Sequence, residues 1–314
     1  MGWRFPQVRL ASVVTAAVFF FGAGGFSPTG AQHRRVVHTG PGVSVHAPEA
    51  LAEAAGEVVR SFPEIIASAV GVLGWDMEGD VSIVLPDSSA LFEQSAGTSH
   101  IVAYAVPGRD LIVIDYWKLQ AHPFTLRSVV MHELFHLLLH RHIPSGLLPG
   151  WFEEGVCQWA SDGLGEILSG GGRMLDRAVI AGELIPLRAL EQSFPRDPAR
   201  LRLAYEQSKS VVTYIAANHG REALIEILSL MKVGGDLDTA MEAVLGKSVR
   251  KLEEDWRASL EGPAAWMRML SHHLHGLLFA FAGIVALVGF IRVIVRKRKA
   301  LKEYDDEERR ADGT

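Results

Sequence analysis

The chain has 314 residues, 48% of them hydrophobic, which is enough for one sizeable globular domain with accessory segments. A formal net charge of -5, with Lys and Arg largely scattered, gives no sign of a nucleic-acid partner. The lone cysteine, Cys157, excludes an internal disulfide framework and a cysteine-based zinc site, and it reads as a small core residue.

Residues 1–31 carry Arg4 and Arg9, then an apolar run from Leu10 to Phe26, then Ser27-Pro28-Thr29-Gly30-Ala31. Basic, apolar and small-residue zones in that order describe a secretory signal peptide, cleaved after Ala31 or retained as a signal anchor. In both cases Arg4 and Arg9 stay on the cytoplasmic side and the following chain is exported.

A globular domain is expected over residues 36–260, and its first part alternates short apolar runs with helical stretches. Residues 42–46 and 80–85 read as strands, the second ended by Pro86, with a helix over 49–72 between them. A short helix over 89–95 follows. Residues 102–106 and 111–114 then form a hairpin pattern across Pro107-Gly108-Arg109-Asp110. These elements predict a small mixed sheet.

The chemistry lies in the next stretch, 128–162. His132-Glu133-Leu134-Phe135-His136 is an H-E-x-x-H pattern inside a segment that reads as helix, with Thr125 placed to cap it. Residues four apart on a helix share a face, so His132 and His136 present two imidazoles to one point with Glu133 beside them. The surrounding Val129, Val130, Leu134, Phe135, Leu137 and Leu138 predict a buried, rigid host. A hydrolytic zinc needs three protein ligands and an open fourth position, so a third ligand must come from elsewhere. One candidate is Glu154, since Pro144, Gly146, Pro149 and Gly150 break the helix and let a second one return beneath the imidazoles. His142 is another, at the spacing of a pattern that requires glycine where Leu139 stands. His140 lies on the same straight helix face and cannot converge with the other two.

Glycine-rich segments at 163–165 and 169–172 punctuate the chain before helical patterns at 187–190, 203–218, 221–231 and 249–260. Residues 274–295 form a 22-residue apolar run in which only His275 and Arg292 are polar. At ~1.5 Å per residue it spans a hydrocarbon core of ~30 Å. Arg296-Lys297-Arg298-Lys299 follows as a stop-transfer cluster, which places residues 296–314 in the cytoplasm. Trp266, His272, His273 and His275 are expected at the outer interface, and the charged tail is expected to be disordered.

H-E-x-x-H followed by Trp151-Phe152-Glu153-Glu154-Gly155 resembles the gluzincin zinc peptidases, and more closely their compact peptidase MA-like domains. Seventeen residues separate His136 from Glu154. The likeness extends through Ala204-Tyr205-Glu206-Gln207-Ser208 and a closing helical hairpin at 237–256, so it covers about 126–260. It implies an α+β, zincin-like domain, a small mixed sheet followed by a helical half. In such a domain Zn²⁺ is held by His132, His136 and Glu154, with Glu133 as general base. Tyr205 would hydrogen-bond the developing oxyanion, its other reading being a buried tyrosine tied to a backbone carbonyl. One arm of the 102–114 hairpin would pair with an extended peptide. The G-x-M-E-N motif of related aminopeptidases is absent, which favours internal cleavage. The expectation is a membrane-anchored extracytoplasmic zinc peptidase acting on peptides or proteins, held in the lipid bilayer by one C-terminal transmembrane helix. A catalytically silent zinc-stabilised binding module is the alternative, although its expected mark, a damaged Glu133, is not found. A tethered interaction protein with an accidental motif would bind no metal.

Overall fold

The computed structural model describes residues 35–119, 125–161, 173–261, 278–279 and 281–298. It divides into two units, Met1–Arg257 and Ala258–Thr314.

The first unit opens with β1 (Arg35–Gly40), β2 (Val43–Pro48), α1 (Ala52–Leu73), β3 (Val81–Val84), α2 (Ser89–Ala96), β4 (Ala103–Val106) and β5 (Leu111–Ile114). The strands form one mixed sheet in the order β1-β2-β3-β5-β4, with antiparallel pairs at both ends and parallel pairs in the middle. The predicted hairpin is present, and β4 is an edge strand of the sheet. Strand β1 was not expected: its side chains alternate only between exposed and half-buried, so Arg35–Gly40 carries no core-facing stripe to read. Its pairing with β2 supplies what its sequence lacks. Helix α1 buries Ala54, Ala55, Val58, Phe62, Ile65 and Ala69 along one face, the spacing of an amphipathic helix on a sheet.

The helical half comprises α3 (Tyr116–Leu119), α4 (Leu126–His142), α5 (Gly150–Ala160), α6 (Arg173–Ala181), α7 (Pro198–His219), α8 (Arg221–Lys232), α9 (Leu237–Leu245) and α10 (Val249–Glu261). Thr125 caps α4 as expected, its Oγ1 accepting from Ser128 N at 3.1 Å. Helix α4 is enclosed by α1, α5 and strands β4 and β5, and α5 lies in turn against α7. The closeness of that second pair depends on Gly155. A Cβ there would sit 2.4 Å from Ser208 O and 2.5 Å from Val212 Cγ2, so only glycine lets the helices approach this far. Two neighbouring residues of α7 pin the preceding chain to it. Glu206 Oε2 accepts from Leu175 N at 2.7 Å, and the Gln207 amide bonds both Ile185 N and Ile185 O at 2.9 Å.

In the second unit residues 281–298 are helical and exposed. Among the described residues no helix is long and apolar enough to cross a membrane. Residues 274–277 and 280 of the run read above as a span lie outside the described residues. So do residues 1–34, with the whole of the signal-peptide segment, both glycine-rich segments, and 299–314.

Candidate metal centre

Helices α4 and α5 bring three ligand atoms to one point. His132 Nε2 lies 3.3 Å from His136 Nε2, and the two carboxylate oxygens of Glu154 lie 3.6 Å from one imidazole each. All three ligand atoms fall within 4.8 Å of one another. Both imidazoles turn Nε2 inward because their other nitrogens are engaged. His132 Nδ1 faces the Cys157 carbonyl and, at 3.4 Å, Ser161 Oγ. His136 Nδ1 donates to Glu153 Oε1 at 2.7 Å. Burying a carboxylate with an oxygen left unpaired is costly, yet Glu154 Oε2 is buried and has no hydrogen-bond partner. Two imidazoles and a carboxylate with an orphaned oxygen fit a divalent ion of the zinc type.

Burial and neighbouring charges shift the titratable groups of this cluster strongly. Burial and the nearby His136 hold the His132 imidazole well below its ordinary pKa, which keeps it neutral. Burial opposes a proton on His136 too, but the hydrogen bond to Glu153 and the Glu154 carboxylate raise it well above the usual value. Glu154 is pushed up to about 7 by burial and by neighbouring Glu153. Glu133 is also raised to about 7, by burial and by Glu154, against the pull of His136 and of the Ala105 backbone N–H that donates to it. Burial pushes the Cys157 thiol up to about 12, so it stays neutral.

The cleft around this cluster is lined by Ile101, Val102, Ala103, Tyr104 and Ala105 on one side and by Gln158 and Tyr205 on the other. Strand β4 therefore forms one wall. Asp115 N donates to Val102 O at 2.8 Å, which fixes the hairpin's alternation and turns the main-chain groups of Ala103 and Ala105 away from β5. Tyr205 comes from α7, with the ring of Phe194 against it at 5.2 Å between centroids. Burial and the carboxylates of Glu154, Glu133 and Glu153 raise its hydroxyl well above the usual range. The phenol is held protonated and can only donate to an anion.

The sequence-predicted residues His132, Glu133, His136, Glu154 and Tyr205 all line this one cleft. His142 does not join them: its Nε2 donates to Asp76 O at 2.8 Å and its ring packs 5.1 Å from that of Trp75, on the other side of α4. Sequence reasoning missed Glu153. It is adjacent to Glu154, and about 100° of helix rotation separates neighbouring positions, so only the packed structure reveals that both face α4.

The sequence matches the family model described as Peptidase MA superfamily over residues 88–262, more than half of the chain. The chain belongs to that superfamily. No curated protein matches it. Among solved structures, yeast LTA4 hydrolase in complex with bestatin is similar at 16% identity and a TM-score of 0.43, over 71% of this chain and 39% of that one. Native yeast LTA4 hydrolase is similar at 14% identity and a TM-score of 0.42, over 71% of this chain and 38% of the other. This chain thus spans well under half the length of the solved structures it matches.

Proposed function

We propose that the chain is a zinc-dependent peptidase, extracytoplasmic and anchored in the cell membrane by its C-terminal helix. The observation that carries the reading is the buried, unpartnered Glu154 oxygen facing two Nε2 atoms beside an intact Glu133. His132, His136 and Glu154 would hold Zn²⁺, and the ion supplies Lewis acidity that acidifies water and polarises a carbonyl. Glu133, held by the Ala105 N–H, takes the proton from the attacking water and delivers it to the leaving nitrogen. Tyr205 donates its hydroxyl to the oxygen on which negative charge develops. An extended substrate pairs with the outward main-chain groups of Ala103 and with the Ala105 carbonyl, which Glu133 leaves free. Internal peptide bonds are the expected target. The apolar side chains of Leu278, Phe279, Phe281, Ile284 and Val285 are all exposed in the second unit, which supports a bilayer as their cover.

The test is a pair of substitutions in the full-length protein. Glu133→Gln keeps the shape and removes the proton-accepting charge. It should bind stoichiometric zinc while hydrolysis of an unfolded protein substrate falls about 10²–10⁴-fold. Glu154→Ala should lose the zinc, whereas His142→Ala should retain both zinc and activity. A Glu133→Gln protein that cleaves at the wild-type rate refutes the mechanism. One that loses its metal reassigns Glu133 to the ligand set.

A further inference from the structure

Behind the three ligands lies a second polar layer built around one atom. Glu153 Oε1 is 2.7 Å from His136 Nδ1 and 2.8 Å from His140 Nε2, so two imidazoles donate to the same carboxylate oxygen. His132, His136 and His140 stand four residues apart on α4 and share a face. The first two turn a nitrogen to the metal point, while the third reaches the carboxylate at the back. Glu153 is 8% exposed. The His140 side chain is 34% exposed and forms the outer end of the row.

We propose that His140 is a positioning residue for the metal site: by sharing Glu153 Oε1 with His136, it locks the carboxylate in the orientation that holds the His136 ring by Nδ1 and keeps Nε2 aimed at the ligand point. A glutamate side chain has three rotatable bonds, and one hydrogen bond leaves it several orientations. A second donor on the same oxygen, from a ring fixed on the same rigid helix, removes that freedom. It also gives the buried anion a second partner to offset lost hydration. Removing His140 would open a path from Glu153 to solvent and let the carboxylate turn away from His136. The effect reaches the metal only through Glu153. This inference rests on the zinc reading above.

Zinc affinity provides the test, measured by chelator competition on the full-length protein and its variants. Outer groups of this kind typically set metal affinity by 10–100-fold, so Glu153→Ala should weaken zinc by about that factor. His140→Ala should weaken it by roughly tenfold at most. The double variant should bind no more weakly than Glu153→Ala alone, because His140 has no other route to the metal. His140→Gln, whose amide can donate to the same oxygen, should recover most of the loss. With Co²⁺ in place of zinc, His140→Ala should shift the visible absorption band relative to wild type. Wild-type affinity in His140→Ala, or losses that multiply in the double variant, overturns the proposal. So does a loss that tracks unfolding of the zinc-free variant in melting curves, which would make the role one of plain structural support. A wild-type protein that binds no zinc overturns the proposed function and removes this inference with it.

Discussion

At the scale of single residues, the proposed ligands carry protons that a metal must displace. Glu154 is pushed up to about 7 by burial and Glu153, and His136 is held above its ordinary value despite burial. Below about pH 7 the metal-free site therefore holds a proton on each, and each displaced proton costs zinc about tenfold in apparent affinity per pH unit. Competition titrations between pH 5 and 6.5 should give a slope of at least one decade per unit, approaching two, and above about pH 7, where Glu154 has lost its proton and His136 has not, the slope should ease toward one. A flat profile across that range would mean that neither group ligates. These residues were legible in the sequence because the four-residue spacing within a helix fixes a shared face without any tertiary information. Glu154 was legible through Pro144, Gly146, Pro149 and Gly150, which force the chain to turn back. Glu153 and His140 were not, since their use depends on where α5 lands against α4.

The same division holds for whole elements. Strands β2 to β5 and helices α1, α2, α4 and α5 follow from patterns of period two or 3.6 and from their breakers. Strand β1 escaped because neither of its faces is buried. Helix α7 could be read as a helix, but nothing in its sequence says that it lies against α5, and that contact carries Tyr205 to the cleft. Gly155 is the condition for it. Gly155→Ala drives a methyl group into Ser208 O, which is backbone and cannot rotate away. The helices must separate, and the expected cost is about 1–3 kcal/mol. Thermal unfolding should show the loss in zinc-free protein. Zinc-loaded protein that still folds should show reduced turnover with its metal retained, because α7 and Tyr205 have moved from the ligand pair. Unchanged stability would mean that α5 and α7 do not meet this closely in solution.

For the molecule as a whole, the proposed topology places Arg4 and Arg9 before one apolar run and Arg296, Lys297 and Arg298 after the other, both on the cytoplasmic side. A reporter active only in the cytoplasm should be silent when fused after Leu260 and active after Thr314. Activity at the first position would overturn the export reading.

The short loop between α4 and α5 sets an order of assembly. All three ligands lie between positions 132 and 154, and closing so small a segment is entropically cheap. Tyr205 enters only after the intervening chain has folded back on α5. On the proposed function, a chain crossing the membrane from its N-terminus can capture its metal while α7 is still on the cytoplasmic side. It would then carry the ion before it carries a complete catalytic apparatus, so hydrolysis waits for the last helices to arrive.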